Sequence, residues 1–230
     1  LTYTVTNTYP HDTELFTEGL LFHQGKLLES TGSPETQPSL KSMIGVSDLK
    51  TGKFTKKIEI DKSKYFGEGI AVFKNTLYQL TYTTQKGFIY DATSFKAKGT
   101  FTYTNKEGWG MTSDSNHLIM TDGTNQLTYL HPETLQPVKT LAINDEGFTV
   151  QNLNEIEFIN GFLYANIWTT NYIVKIDPST GNVVAKMDLN PIANEIRTKS
   201  PQADVLNGIA FNPENNKMYI TGKLWPTIYE

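Results

Sequence analysis

Short runs of alternating apolar and polar residues follow one another along the whole chain, separated by turns rich in Gly, Asn, Asp and Pro. A period of two places alternate side chains on opposite faces, so each run predicts a half-buried β-strand. Leu1 to Thr8 alternates in this way, with Tyr3, Val5 and Asn7 on one face and threonines on the other, and Pro10 ends the run. Gly19–Phe22 and Lys26–Glu29 predict a hairpin, and Ser42–Asp48 and Lys53–Ile60 a second one across Leu49-Lys50-Thr51-Gly52. The polar stretch Ser30–Leu40, with two prolines, predicts a loop. Further hairpins follow, including Glu155–Ile159 and Phe162–Asn166 across Asn160-Gly161, a dipeptide that favours tight hairpin turns. Helical spacing is confined to Pro191–Thr198, and Trp225–Tyr229 predicts a final strand.

One stretch recurs ahead of these hairpins. A small or polar turn residue precedes a β-type run in Phe16-Thr17-Glu18-Gly19, Phe66-Gly67-Glu68-Gly69, Gly108-Trp109-Gly110, Leu153-Asn154-Glu155 and Leu206-Asn207-Gly208. With Gly19, Gly69, Gly110, Glu155 and Gly208 as equivalents, the steps are 50, 41, 45 and 53 residues. Each step holds two hairpins. Four-stranded units at a period of about 40–50 residues are the mark of a β-propeller. The expected fold is therefore all-β: one five-bladed propeller spanning residues 1–230, with blades starting near 16, 66, 108, 153 and 206. The last unit has room for about three strands, so residues 1–9 supply its outermost strand and close the ring. An ordinary β-sandwich also accommodates short alternating strands, though not an in-phase repeat.

In a propeller, the residue just before each innermost strand sits at one mouth of the central channel. The ends of the second strands return to that mouth. This brings together Phe16, Glu18, Phe66, Glu68, Trp109, Asn154, Glu155 and Asn207 with Tyr82, Asp122, Trp168 and Lys223. Convergent polar groups ringed by aromatics describe a small-molecule pocket. The same residues can instead hydrogen-bond blade to blade, a reading that weighs most on Asn154, Glu155 and Asn207. Glu68 carries the sharpest chemistry: aromatic neighbours limit its solvation, and partial burial raises a carboxyl toward a useful acid–base range.

Composition narrows the classes. The net charge of −4 carries no basic patch for nucleic acid, and no apolar run approaches a membrane span. With no cysteine, disulfides, thiolate catalysis and cysteine metal sites are excluded. His11, His23, His117 and His131 form no ligand pattern, so no catalytic metal is assigned.

These motifs, together with Tyr9-Pro10-His11-Asp12, Ser30-Thr31-Gly32, Asn166-Ile167-Trp168 and Thr221-Gly222-Lys223-Leu224-Trp225-Pro226, run in order over nearly the whole chain. In this the sequence resembles the plant and bacterial glutaminyl cyclases, also called glutamine cyclotransferases. The resemblance implies a five-bladed propeller that converts N-terminal glutaminyl residues of peptides to pyroglutamate with release of ammonia. It implies Glu68 as proton relay, Lys223 near the amide oxygen, Asn154 on the amide or amine, and Trp109 and Trp168 as pocket walls, with Phe16 and Phe66 as apolar wall. It implies N-terminal Gln peptides or proteins as partners, no required cofactor, a possible structural cation in the channel, and a periplasmic or secreted location. A closed ring needs no partner subunit, so a monomer is expected. The chain departs from the plant pattern at Glu18, where the plant enzymes carry Gln, at Tyr82, where they carry Trp, and in lacking their cysteines. These departures bear on specificity and pH response. A non-catalytic peptide- or sugar-binding propeller stays open. So does a metal-dependent lactonase-type propeller, which needs Glu18, Glu68, Glu155 and Asp122 to converge on one ion.

Overall fold

A computed structural model describes all 230 residues. The strands form five four-stranded antiparallel sheets, each running from an innermost to an outermost strand. The innermost strands are Thr17–His23, Gly67–Phe73, Met111–Ser113, Leu153–Ile159 and Leu206–Asn212. Each touches the next, and the fifth touches the first, so the ring is closed. This is the five-bladed propeller that the repeat predicts.

Closure differs in detail from the expectation. The outermost strand of blade five is Thr8–Pro10, paired with Thr227–Tyr229, whereas Leu1–Asn7 forms no sheet strand. Pro10 is the last residue of this strand, so the strand ends where the sequence predicts. The strand is at the sheet's outer edge, where a missing N–H breaks no ladder. The extended residues before it are fastened by backbone hydrogen bonds between Thr6 or Asn7 and Glu230. A further two-strand hairpin, Asn144–Asp145 with Phe148–Thr149, inserts between blades three and four where no strand is expected from the sequence.

Alternation explains the core. Each blade is apolar on both faces because each face meets a neighbouring blade. Five buried clusters result, one per interface, such as Leu21, Leu28, Ile44, Ile70 and Leu77 between blades one and two. The cluster between blades four and five also takes Ile192, Ala193 and Ile196 from the helix Asn190–Lys199. Pro191 suits the first turn of that helix, where its missing N–H costs nothing, and Arg197 and Lys199 complement the C-terminal dipole. At the rim, Asp48, Asp91 and Asp177 accept hydrogen bonds from turn amides and fix the outer hairpins.

Candidate active site

The recurring stretches fold into β-bulges. Pairing shifts register between Thr17 and Gly19, Gly67 and Ile70, Leu153 and Ile156, and Leu206 and Ile209. The shifted residues include Glu18, Glu68, Asn154 with Glu155, and Asn207. A bulge leaves one residue out of the ladder and re-aims its side chain. Here it turns Glu18, Glu68 and Asn154 from the blade faces to the channel mouth. The glycines beside them let the inner strands approach closely. A Cβ on Gly69 would lie 2.6 Å from the Trp109 carbonyl oxygen, and one on Gly110 would lie 2.2 Å from the Asn154 carbonyl oxygen.

The mouth opens into a cavity of about 780 Å³. Its lining includes Phe16, Glu18, Phe66, Glu68, Tyr82, Trp109, Asn154, Trp168 and Lys223. The aromatics brace one another: Phe66 meets Phe16 and Tyr82 at centroid distances of 6.3 and 6.0 Å, and Trp109 meets Trp168 edge-on at 5.6 Å. Gly32 is required beside them, since a Cβ there would sit 2.2 Å from the Phe66 ring.

On the floor, Lys223 Nζ donates to Glu18 Oε1 at 2.7 Å, with both side chains buried. The sequence allows a rim salt bridge here, but the pair is internal. Asn207 Nδ2 approaches Glu18 Oε2 at 3.4 Å. Glu68 is 5% exposed and shares the cavity floor with Glu18. Burial, and then the Glu18 charge, hold the Glu68 carboxyl well above the usual carboxylate range, although Lys223 pulls the other way. Glu18 is also raised by burial, with Lys223 opposing the shift. Asn154 is 3% exposed and lines the cavity, and its Oδ1 has no hydrogen-bond partner.

Three residues drawn to the mouth by sequence do not reach the cavity. Glu155 occupies the position that is glycine in blades one to three and spans the channel instead, where its carboxylate accepts the Leu20 and Ile209 amides at 3.3 and 2.8 Å. Asn207 sits behind Glu18, donating to the Thr17 carbonyl at 2.9 Å. Asp122 holds its own turn through Thr124 and ties to Asn105. For Glu155 and Asn207 the blade-to-blade alternative is the observed arrangement. The four carboxylates required by a lactonase-type ion therefore do not converge, and no three His, Asp or Glu side chains have metal-binding geometry. Both Glu155 oxygens face amide N–H groups.

Sequence reasoning missed several contributors. Glu107 accepts the Trp109 indole N–H at 2.8 Å, so it fixes the orientation of one pocket wall. Ser33–Glu35, Lys62–Tyr65, Asp204 and Val205 complete the lining from loops that carry no periodic signal. A buried clasp lies behind Lys223. His11 Nδ1 is 2.6 Å from the Trp225 carbonyl, and Nε2 is 2.9 Å from Glu29 Oε1. Both partners only accept, so both ring nitrogens donate and the ring is an imidazolium. Burial opposes that charge, but the Glu29 charge and hydrogen bond outweigh it and raise the His11 pKa. With the Leu224 amide bonded to the Leu15 carbonyl, this clasp fixes the turn that carries Lys223.

A model of the family described as glutamine cyclotransferase matches residues 1–230. The chain is 34% identical over 224 residues to a glutaminyl-peptide cyclotransferase of Arabidopsis thaliana, covering 96% of this chain and 68% of that protein. It superposes on the crystal structure of Myxococcus xanthus glutaminyl cyclase with a TM-score of 0.89 and 33% identity, over 99% of this chain and 94% of the other.

Proposed function

The chain belongs to the glutamine cyclotransferase family, and from that premise we propose how its pocket carries out the reaction. The protein is a glutaminyl-peptide cyclotransferase. It closes an N-terminal glutaminyl residue to pyroglutamate and releases ammonia. The α-amine attacks the γ-amide carbon of the same residue, so holding the near-attack geometry supplies much of the acceleration. The aromatic walls Phe16, Phe66, Tyr82, Trp109 and Trp168 enclose the flexible glutaminyl side chain. Asn154 Oδ1, buried and without a partner, accepts from the attacking amine. Lys223 has three N–H donors and commits one to Glu18, leaving donors for the amide oxygen as it gains negative charge. Glu68 relays the proton to the leaving nitrogen.

One observation carries this reading: a buried carboxyl, an ammonium and an unpartnered amide oxygen share the floor of one aromatic cavity. The same proposal takes in N-terminal Gln peptides as substrates, a monomeric ring, and a periplasmic or secreted location. No helix of the protein is long and apolar enough to cross a membrane.

The test is ammonia release from an N-terminal Gln dipeptide by wild type and Glu68→Gln, with and without a chelator. Loss of general acid–base help costs about 10²- to 10⁴-fold in kcat, and the chelator has no effect. Wild-type turnover in Glu68→Gln removes Glu68 from the chemistry, and inactivation by the chelator restores the metal-dependent reading.

A further inference from the structure

The buried clasp behind Lys223 joins blade five to blade one where the reaction needs a fixed donor. Glu29, on the second strand of blade one, is fully buried. Its Oε1 accepts from His11 Nε2 at 2.9 Å and from the Thr17 hydroxyl at 2.8 Å, and its Oε2 accepts from the Ser47 hydroxyl at 2.6 Å. His11 carries the link onward. Its Nδ1 donates to the Trp225 carbonyl at 2.6 Å and its backbone N–H to the Pro226 carbonyl at 3.0 Å. One carboxylate thus fastens Thr17, next to Glu18, and Trp225, two residues after Lys223. The turn it holds is not relaxed. The Trp225 amide donates to the Gly222 carbonyl at 3.1 Å, which puts Lys223 and Leu224 at the centre of the turn. Leu224 has φ of +61°, a conformation that a bulky residue keeps only where its surroundings hold it. The charged groups that bear on the His11 ring are Glu29 and Asp12, both acidic, and the Thr221 hydroxyl lies 3.4 Å from Nδ1.

We propose that His11 is a positioning residue for ring closure: as an imidazolium gripped by Glu29, it locks the Lys223 turn onto blade one and so sets where the ammonium meets the amide oxygen. The proposal rests on the cyclotransferase reading of this pocket, in which Lys223 donates to that oxygen. His11 does not line the cavity, so it acts through the backbone at Trp225 rather than on the substrate. The second ring proton is what makes the link continuous. A neutral imidazole has one N–H and must give up either Glu29 or the Trp225 carbonyl. Losing the carbonyl frees the turn around Leu224. Losing Glu29 leaves a buried carboxylate with only the Thr17 and Ser47 hydroxyls. A lysine side chain is long and flexible, with no direction of its own, so its aim comes from the turn beneath it. A misplacement of about 1 Å in such a donor costs about a hundredfold in rate.

Glu29→Gln tests this with the shape of the clasp kept. The glutamine oxygen still accepts from His11 and Thr17, but the charge that holds the second proton on the ring is gone. Ammonia release from an N-terminal Gln dipeptide should show kcat about ten- to a hundredfold lower, with KM within about twofold of wild type. The same substitution made on top of Lys223→Met should cost almost nothing further, because a residue that acts through Lys223 then has nothing left to position. A clasp that serves only the fold gives the same fractional loss in both backgrounds. Nitrogen-15 spectra of histidine-labelled wild type supply a readout independent of turnover and of how any variant folds. The His11 ring should show two slowly exchanging N–H groups at a pH well above that at which a free histidine is neutral. A neutral His11 ring in wild type overturns the proposal, as does wild-type kcat in Glu29→Gln or an equal loss in both backgrounds. Failure of the underlying reading is distinct, since it shows as wild-type kcat in Lys223→Met alone.

Discussion

Replacing Lys223 by Met separates what the lysine does for the fold from what it does for the reaction. Methionine keeps the length and apolar stem, and so preserves the packing that sets Nζ 4.5 Å from the centre of the Phe16 ring. It removes the counter-charge of Glu18, which is 2.7 Å away and almost fully buried. At an effective dielectric of about 20, that distance corresponds to roughly 6 kcal/mol of gross attraction. Desolvation of both ions offsets much of this, and removing one partner of a buried pair costs about 3–5 kcal/mol. The cost depends on pH. Glu18 is already raised by burial, and Lys223 is the group holding it down. Without Lys223 its folded pKa rises further above the unfolded value. The folded variant then retains a proton that the unfolded chain releases, so stability falls as pH rises, by about 1.4 kcal/mol per unit until Glu18 itself ionises. Denaturant melts of Lys223→Met at pH 5 and pH 8 should show a small loss at the lower pH and most of the loss at the higher. Ammonia-release kinetics report the second role. Loss of one donor to a developing oxyanion costs about 10²- to 10³-fold in kcat. A folded variant whose kcat stays within about threefold of wild type refutes the oxyanion assignment. A stability loss equal at both pH values refutes the buried-pair argument.

Two further predictions concern the ring. Gly110→Ala places a Cβ 2.2 Å from the Asn154 carbonyl oxygen, whereas a Cβ on Gly99 meets nothing within 4 Å; melting curves should show a loss of about 1–3 kcal/mol or more for the first and almost none for the second. Burial pushes the Glu157 carboxyl up to about 8, with the Thr112 hydroxyl donating to it at 3.0 Å. Its folded pKa exceeds the unfolded one, so wild-type stability should fall as pH rises from about 4.5 toward 8. Glu157→Gln should remove about 2 kcal/mol of that fall in denaturant melts at pH 5 and 8.5, the full shift being discounted because the residue is only half-buried; an unchanged slope places the titration elsewhere.

The fold was legible because the requirement that makes a blade is local. Each inner strand begins where the chain must pass close to the next blade, and a glycine or a bulge at that point recurs at a readable period. Closure was less legible, since it depends on partners far apart in sequence. The alternation in Leu1–Thr8 resembles a strand, but the segment that finds an edge to pair with is Thr8–Pro10, because Thr227–Tyr229 offers three residues there. The nine cavity residues drawn from the repeat were legible for the same reason as the fold: their positions follow from where strands begin and end. Glu107 and the His11–Glu29 clasp were not, because nothing in their spacing says which side chain they meet across a blade boundary.

Glu68 and Glu155 show where positional reasoning stops. Both are carboxylates at bulges that open an inner strand, and in sequence each sits beside a small or amide residue. Glu68 precedes Gly69, so the glycine takes the close approach to blade three and the carboxylate is left at the mouth. In blade four Asn154 takes the mouth, and Glu155 falls one step later, at the position of close approach. A side chain there has only the channel to enter, where the Leu20 and Ile209 amides receive its carboxylate. A shift of one residue within the bulge therefore divides two chemically identical groups. One faces a cavity beside Lys223 and Glu18, where its proton can be exchanged with a substrate. The other has both oxygens bound by backbone amides and joins three blades at the axis.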